Sequence, residues 1–303
     1  MATVPQISSL RVGDPVEGTF ACVRKDRLRA RTGSTYLALE LRDASGSIPA
    51  RVFQHADAQA GLFERGDLVR VRGRVESFRD ELVVEVEAVE RAPEDPALAE
   101  RFLPVAYRDR DELDGFLEHL ASEVYDPGYR ALLDSLLGDA TLRAAWRRAP
   151  CTRAGHHAYL GGLLEHTVAV GTLARETCDL HRRLNCDLLL TAALVHDLGR
   201  TEEFTYGAEI GLTDAGRLLG HISLGIGLLE RRIAAIPELD AARTLPLLHC
   251  VLTHHGAASA PGGRFACPEA VALYRINGLD AAVKGVLEHG PGGPGPGPTP
   301  APG

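Results

Sequence analysis

Ala193-Leu194-Val195-His196-Asp197-Leu198-Gly199 decides the fold of the longer, C-terminal part of this chain. An apolar helical run, expected over residues 187–198, closes on adjacent His and Asp, and a glycine follows where the helix is expected to stop. Neighbouring helical residues point about 100° apart, so His196 and Asp197 can face one ion together only near an open helix end. Nine of the twelve histidines lie between His156 and His255, several beside acids or glycine turns. Histidine is the usual ligand of catalytic first-row metals, and the helices of a bundle can aim such side chains at one point.

Working outward from this stretch, helical spacing continues on both sides. Leu113, Phe116, Leu117 and Leu120 form an apolar stripe over 109–123. The stretches 129–137, 160–178, 218–233 and 245–253 read the same way, with Pro237 and Pro246 marking breaks or starts. The first ninety residues differ. Five short β-patterned runs (16–24, 35–42, 47–53, 68–75 and 82–89) are separated by turn signals such as Asp43-Ala44-Ser45-Gly46. A brief helical stretch over 55–63 lies between the third and fourth. That order predicts a small all-β Greek-key barrel of the OB-fold type, followed by an all-α bundle. The expected domains are a barrel over 1–92, a linker over 93–108, helices over 109–289 and a disordered Gly/Pro tail over 290–303.

The chain has 303 residues, 45% hydrophobic and 24% charged, enough apolar material for two cores and too much for a chain disordered throughout. No apolar run approaches the ~20 residues of a membrane span, and the first residues lack a basic and apolar leader, so the expected compartment is the cytoplasm, with no membrane partner. Six cysteines fall in no CxxC pair and read as buried, reduced thiols. A net charge of −8 argues against nucleic-acid binding by bulk charge and leaves open a local basic groove. Through residue 92 there are fourteen basic and fourteen acidic side chains, so such a groove requires segregation. Arg24, Lys25, Arg27, Arg29 and Arg31 cluster about the first strand-to-strand loop. Val69-Arg70-Val71-Arg72-Gly73-Arg74-Val75 puts Arg70, Arg72 and Arg74 on one strand face, and Tyr36 and Phe53 are candidate stacking platforms for bases.

His196-Asp197 with an upstream His and a downstream acid is the signature of the HD phosphohydrolase superfamily. His156-His157-Ala158-Tyr159-Leu160-Gly161-Gly162-Leu163-Leu164-Glu165-His166-Thr167 closely resembles the motif that opens the HD domain of the YhaM-type 3′→5′ exoribonucleases. Further matches follow in order at 193–199, Leu219-Gly220-His221-Ile222, Thr253-His254-His255-Gly256, Pro268-Glu269-Ala270 and Leu279-Asp280-Ala281. That family also has an N-terminal OB-fold. The resemblance implies His166, His196, Asp197, His221, His254 and His255 as metal ligands, with Asp197 bridging two ions. It implies manganese; the donor set also suits Fe, Co or Zn. A metal-activated hydroxide would attack the terminal phosphodiester of single-stranded RNA, with single-stranded DNA a further substrate class. Arg200 would stabilise phosphoryl charge, and Glu165 would orient a ligand or assist proton transfer. His156, His157 and Tyr159 are positioned to meet substrate or support the ligands.

Two departures from the family stand out. Asn277 replaces the Asp that normally completes the metal shell, and Arg200 replaces a Lys. Asp280 matches a different family position and is not assigned as a ligand. Three readings stay open: the exoribonuclease, an HD hydrolase of free or cyclic nucleotides, and a nucleic-acid-binding protein with an attenuated HD site. An OB barrel can also pack against another subunit, so a homo-oligomer is among the expectations.

Overall fold

A computed structural model describes residues 6–29, 33–79, 81–93, 98 and 100–290. It divides into two compact units, one of Met1–Leu103 with Thr205–Gly211, the other of Pro104–Phe204 with Leu212–Gly303. Of the expected linker and tail, residues 94–97, 99 and 291–303 lie outside the described residues, as does Arg31. No helix among the described residues is long and apolar enough to cross a membrane.

In the first unit, β1 (Pro15–Arg29), β2 (Thr35–Asp43), β3 (Gly46–Val52), β4 (Leu68–Phe78) and β5 (Glu81–Arg91) close a barrel in the order β1-β2-β3-β5-β4. β1 serves two neighbours. Its first half pairs antiparallel with β4 and its second half with β2, and a bulge between Cys22 and Arg24 lies at the changeover. Among the described barrel strands, only β3 and β5 pair parallel. This is the OB-fold. Alternation decides the faces, with Val69, Val71 and Val75 buried and Arg70, Arg72 and Arg74 exposed. Gly73 takes an inward position at a second bulge, where a Cβ would lie 2.3 Å from the Glu85 carbonyl. The helix after β3 spans only Ala56–Ala60, because the chain leaves it at Gly61 and Phe63 buries in the barrel core. Ala208, in the returning segment Thr205–Gly211, completes a small apolar cluster with Ala21, Leu68 and Ala92.

The second unit is helical, around a core that includes Leu113, Trp146, Leu164, Leu194, Leu229 and Leu273. Asp109, Asp126, Asp139, Asn185 and Asp240 each cap a helix by accepting backbone N–H bonds. Helix Gly162–Leu180 begins two residues later than expected, since His157 and Gly161 both have positive φ and Leu160 forms a bridge with Val105. Helix Cys186–Val195 is buried from Leu188 onward. Helices Ala140–Arg148 and Pro268–His289 and a two-stranded pairing of Phe204–Tyr206 with Ile210–Leu212 go beyond the elements expected from sequence. All six cysteines are free, but Cys186 is exposed and Cys267 half-buried, which corrects the expectation that all are buried.

Candidate metal centre

His196 and Asp197 stand in a four-residue turn just past the end of helix Cys186–Val195. Gly199 has ordinary right-handed dihedrals, so its role is space rather than a left-handed cap. A Cβ there would lie 2.0 Å from the His221 carbonyl and 2.5 Å from the Gly225 nitrogen. The missing side chain thus lets the helix carrying His221 close on the His-Asp turn. That helix, Asp214–Ile233, is itself broken at Gly220 (φ 69°), and His221 opens its second segment.

The two oxygens of Asp197 face two groups of imidazoles. Oδ1 lies 3.2 Å from His221 Nε2 and 3.3 Å from His254 Nε2. Oδ2 lies 3.8 Å from His196 Nε2 and 3.9 Å from His166 Nε2. His255 Nε2 stands 3.1 Å from His221 Nε2, and His166 Nε2 stands 3.2 Å from His196 Nε2. Donor atoms of Asp197, His221, His254 and His255 all lie within 4.8 Å of one another, as do those of His166, His196 and Asp197.

The protons on these rings point outward. His196 Nδ1 donates to the Ala193 carbonyl (2.9 Å) and His254 Nδ1 to the Val251 carbonyl (2.6 Å). His166 Nδ1 donates to the Asp280 carboxylate at 2.6 Å. Each partner leaves Nε2 as a lone pair turned inward. Asn277 is fixed in the same sense, since its Nδ2 donates to the His254 carbonyl (3.2 Å), which turns Oδ1 to 3.0 Å from His166 Nε2. Lone pairs therefore face lone pairs, and Asp197 Oδ1 is buried without a hydrogen bond despite its close imidazoles. A cation satisfies all of these atoms at once; the residues present fit divalent metal ions.

Burial disfavours the charged form of three of these rings, and ligation requires the neutral form. It lowers His196 to about 3 and His255 to about 2, against the opposing pull of Asp197, and it also lowers His221. Asp197 is pushed up by burial, yet Arg200 and the surrounding histidines hold it well below the usual carboxylate range.

The structure distributes the other expected residues unevenly. Arg200 is half-buried, 3.4 Å from Asp197 and bonded to Glu203 (2.8 Å), which in turn stands 3.7 Å from His221 Nδ1. Glu165 is not among the inward atoms. It is bonded to Lys284 Nζ (2.8 Å) and accepts from Tyr159 Oη (2.8 Å). Tyr159 meets His157 Nδ1 (2.9 Å), and His157 Nε2 meets Asp280 (3.0 Å). His157 is 1% exposed, its ring held between Tyr159 and Asp280. A hydrogen-bonded chain thus runs Lys284, Glu165, Tyr159, His157, Asp280, His166. Asp280 and Lys284 share one face of Pro268–His289 with Asn277, a spacing legible once the helix is known. His156, lowered by burial to about 4, lies with Nε2 3.7 Å from the Cys151 sulfur. Cys151 is itself 3.5 Å from Asp197 Oδ2, a neighbour that its isolated place in the sequence does not announce.

On the barrel, Tyr36 and Phe53 stack with centroids 5.2 Å apart. Arg51, two residues before Phe53 and on the same side of the chain, lies 3.8 Å over Phe78, with Arg79 5.3 Å from that ring. Arg70 and Arg72 pair instead with Glu90 and Glu87 of β5, and Arg74 donates to the Gly13 carbonyl, so these three do not form a bare positive stripe. Lys25 and Arg27 are likewise engaged, by Glu64 and Asp57.

An OB barrel joined to a helical domain with this histidine–aspartate centre defines a metal-dependent phosphodiesterase of the HD class. Residues 163–282 match the HD domain and residues 21–92 match the OB-fold nucleic acid binding domain. Across both domains the chain is similar to curated proteins named YhaM. It is 28% identical to the 3′-5′ exoribonuclease YhaM of Bacillus velezensis, covering 89% of this chain and 86% of that protein. It is 27% identical to its namesake in Bacillus subtilis over the same shares. Among solved structures, the HD domain of the L. monocytogenes phosphodiesterase PgpH covers 52% of this chain and 76% of its own at 19% identity, with a TM-score of 0.30.

Proposed function

We propose that the chain is a two-metal 3′→5′ exonuclease of single-stranded RNA, with single-stranded DNA as a second substrate. The observation that carries this is Asp197, whose two oxygens face separate sets of imidazoles. In this reading His166, His196, Asn277 and Asp197 would hold one ion, and His221, His254, His255 and Asp197 would hold the other; manganese is the expected metal. Such ions supply a water of lowered pKa and offset charge on a phosphodiester. Arg200 and Glu203 fix Asp197 and His221. The chain from Lys284 to Asp280 sets the orientation and basicity of His166.

The barrel supports the choice of substrate. OB-folds bind strands on the β2–β3 face and the loop between β4 and β5, by stacking and positive charge. Tyr36, Phe53, Arg51, Phe78 and Arg79 lie on those elements. The direction of degradation rests on the likeness to the YhaM exoribonucleases. The test is a 5′-labelled single-stranded RNA incubated with the protein and Mn²⁺, and resolved over time with an EDTA control. A ladder shortening from the 3′ end, abolished by EDTA and by Asp197→Ala, is expected. Bound but uncut RNA would favour an attenuated site, for which Asn277 is the specific observation.

A further inference from the structure

A second group of reactive side chains lies apart from the metal ligands. Cys250, on helix Ala241–Thr253, and Cys267, the N-cap of helix Pro268–His289, place their sulfurs 3.9 Å apart. Closing to the ~2.05 Å of a disulfide asks for under ~2 Å of movement shared by two side chains. The loop between them is pinned, with the Ala266 N–H donating to His249 Nε2 at 2.8 Å. The two thiols are unequal. Cys250 is completely buried, whereas Cys267 is half-buried and lines a cavity of about 460 Å³ walled by Ile226, Leu245, Leu248 and Leu252. The hydrogen bond from Cys250, opposed by burial and helped by the Ala270 N–H at the helix start, lowers the Cys267 thiol to about 7. Cys250, as the donor, is held far up as a neutral thiol.

We propose that Cys267 and Cys250 are a peroxide-reactive thiol pair, with Cys267 attacking from the apolar cavity, Cys250 resolving, and organic hydroperoxides as the oxidant class. The Cys267 thiolate attacks the terminal peroxide oxygen, the O–O bond breaks, and the alkoxide takes up a proton and leaves as an alcohol. Cys267 becomes a sulfenic acid. Attack by the Cys250 sulfur then forms the disulfide and releases water. Two thiols lose two electrons and two protons, and the hydroperoxide becomes alcohol and water. At pH 7 a fall from 9.0 to about 7 raises the thiolate fraction about fiftyfold. The weaker nucleophile gives back about eightfold, leaving about a sixfold advantage over an ordinary thiol. The bond would tie the helix end that precedes His254 and His255 to the start of the helix carrying Asn277.

The test treats reduced, full-length protein with cumene hydroperoxide or, in parallel, hydrogen peroxide, and maps the peptides by mass spectrometry. A cross-link between Cys250 and Cys267 is expected, formed severalfold faster with the organic hydroperoxide. In Cys250→Ala, dimedone should trap a sulfenic acid on Cys267, and Cys267→Ser should give neither product. Failure of the wild-type protein to form this cross-link, or faster reaction at the exposed Cys186, overturns the pair. Equal rates with the two peroxides overturn the role of the cavity.

Discussion

Asp280→Asn is the sharpest test of how the centre is held. The carboxylate accepts from His166 Nδ1 at 2.6 Å and from His157 Nε2 at 3.0 Å, and the His166 side chain is fully buried. Asparagine keeps the shape and loses the charge. Hydrogen bonds to a charged group contribute about 1.5–3 kcal/mol and neutral ones about 0.5–1.5, so two weakened bonds cost about 2 kcal/mol. If that loss falls on the orientation and basicity of His166, one ion should bind about 30-fold more weakly, within the 10–100-fold typical of such supporting groups. Asp280 touches none of His221, His254 and His255, so the second ion should be unaffected. Mn²⁺ titration of metal-free protein, followed by the EPR signal of free Mn²⁺, resolves the two events. Both events unchanged within twofold would refute the argument, and so would equal weakening of both without a fall in melting temperature.

Further outcomes follow from particular contacts. Gly199→Ala should force the His221 carbonyl away from the His-Asp turn and lower both melting temperature and Mn²⁺ binding; a normal titration would show that the close approach is dispensable. Asn277→Asp should tighten the His166-side ion but destabilise the metal-free protein by ~1–3 kcal/mol in urea, because a carboxylate cannot donate to the His254 carbonyl. Tyr36→Ala and Phe53→Ala should each weaken single-stranded RNA binding by ~1–3 kcal/mol in filter binding while leaving metal content intact; unchanged affinity removes the stacking role. Burial pushes Asp126 up, but Arg243 and the N–H groups of Gly128 and Tyr129 hold it below the ordinary carboxylate value. Its stabilising contribution is therefore complete above the unfolded pKa of ~3.9 and lost as pH falls through the lower folded value. Asp126→Asn should flatten the acid limb of the stability curve below about pH 4, and an unaltered limb would contradict this.

What the sequence disclosed depended on the range of the information. Strand alternation and helical stripes are local, so the barrel and most helices were legible within a few residues of their ends. The histidines were legible because each stands in its own short motif, and a motif needs no knowledge of what it faces. Gly199 shows where this stops. Its neighbours in sequence suggest a helix cap, but the atom that excludes a side chain is a carbonyl 22 residues away. Glu165 and His157 stand near His166 in sequence, yet their partners Lys284 and Asp280 lie more than a hundred residues on. Arg70 and Arg72 read as a positive face until β5 sets glutamates against them. Asn277 is the most instructive case. In sequence it is an aspartate that has lost its charge. In the fold its amide does two things a carboxylate cannot do together, donating to the His254 backbone carbonyl while turning an acceptor toward His166. In the two-metal reading, the residue that weakens the electrostatic hold on an ion would also preorganise the two histidine groups before any ion arrives.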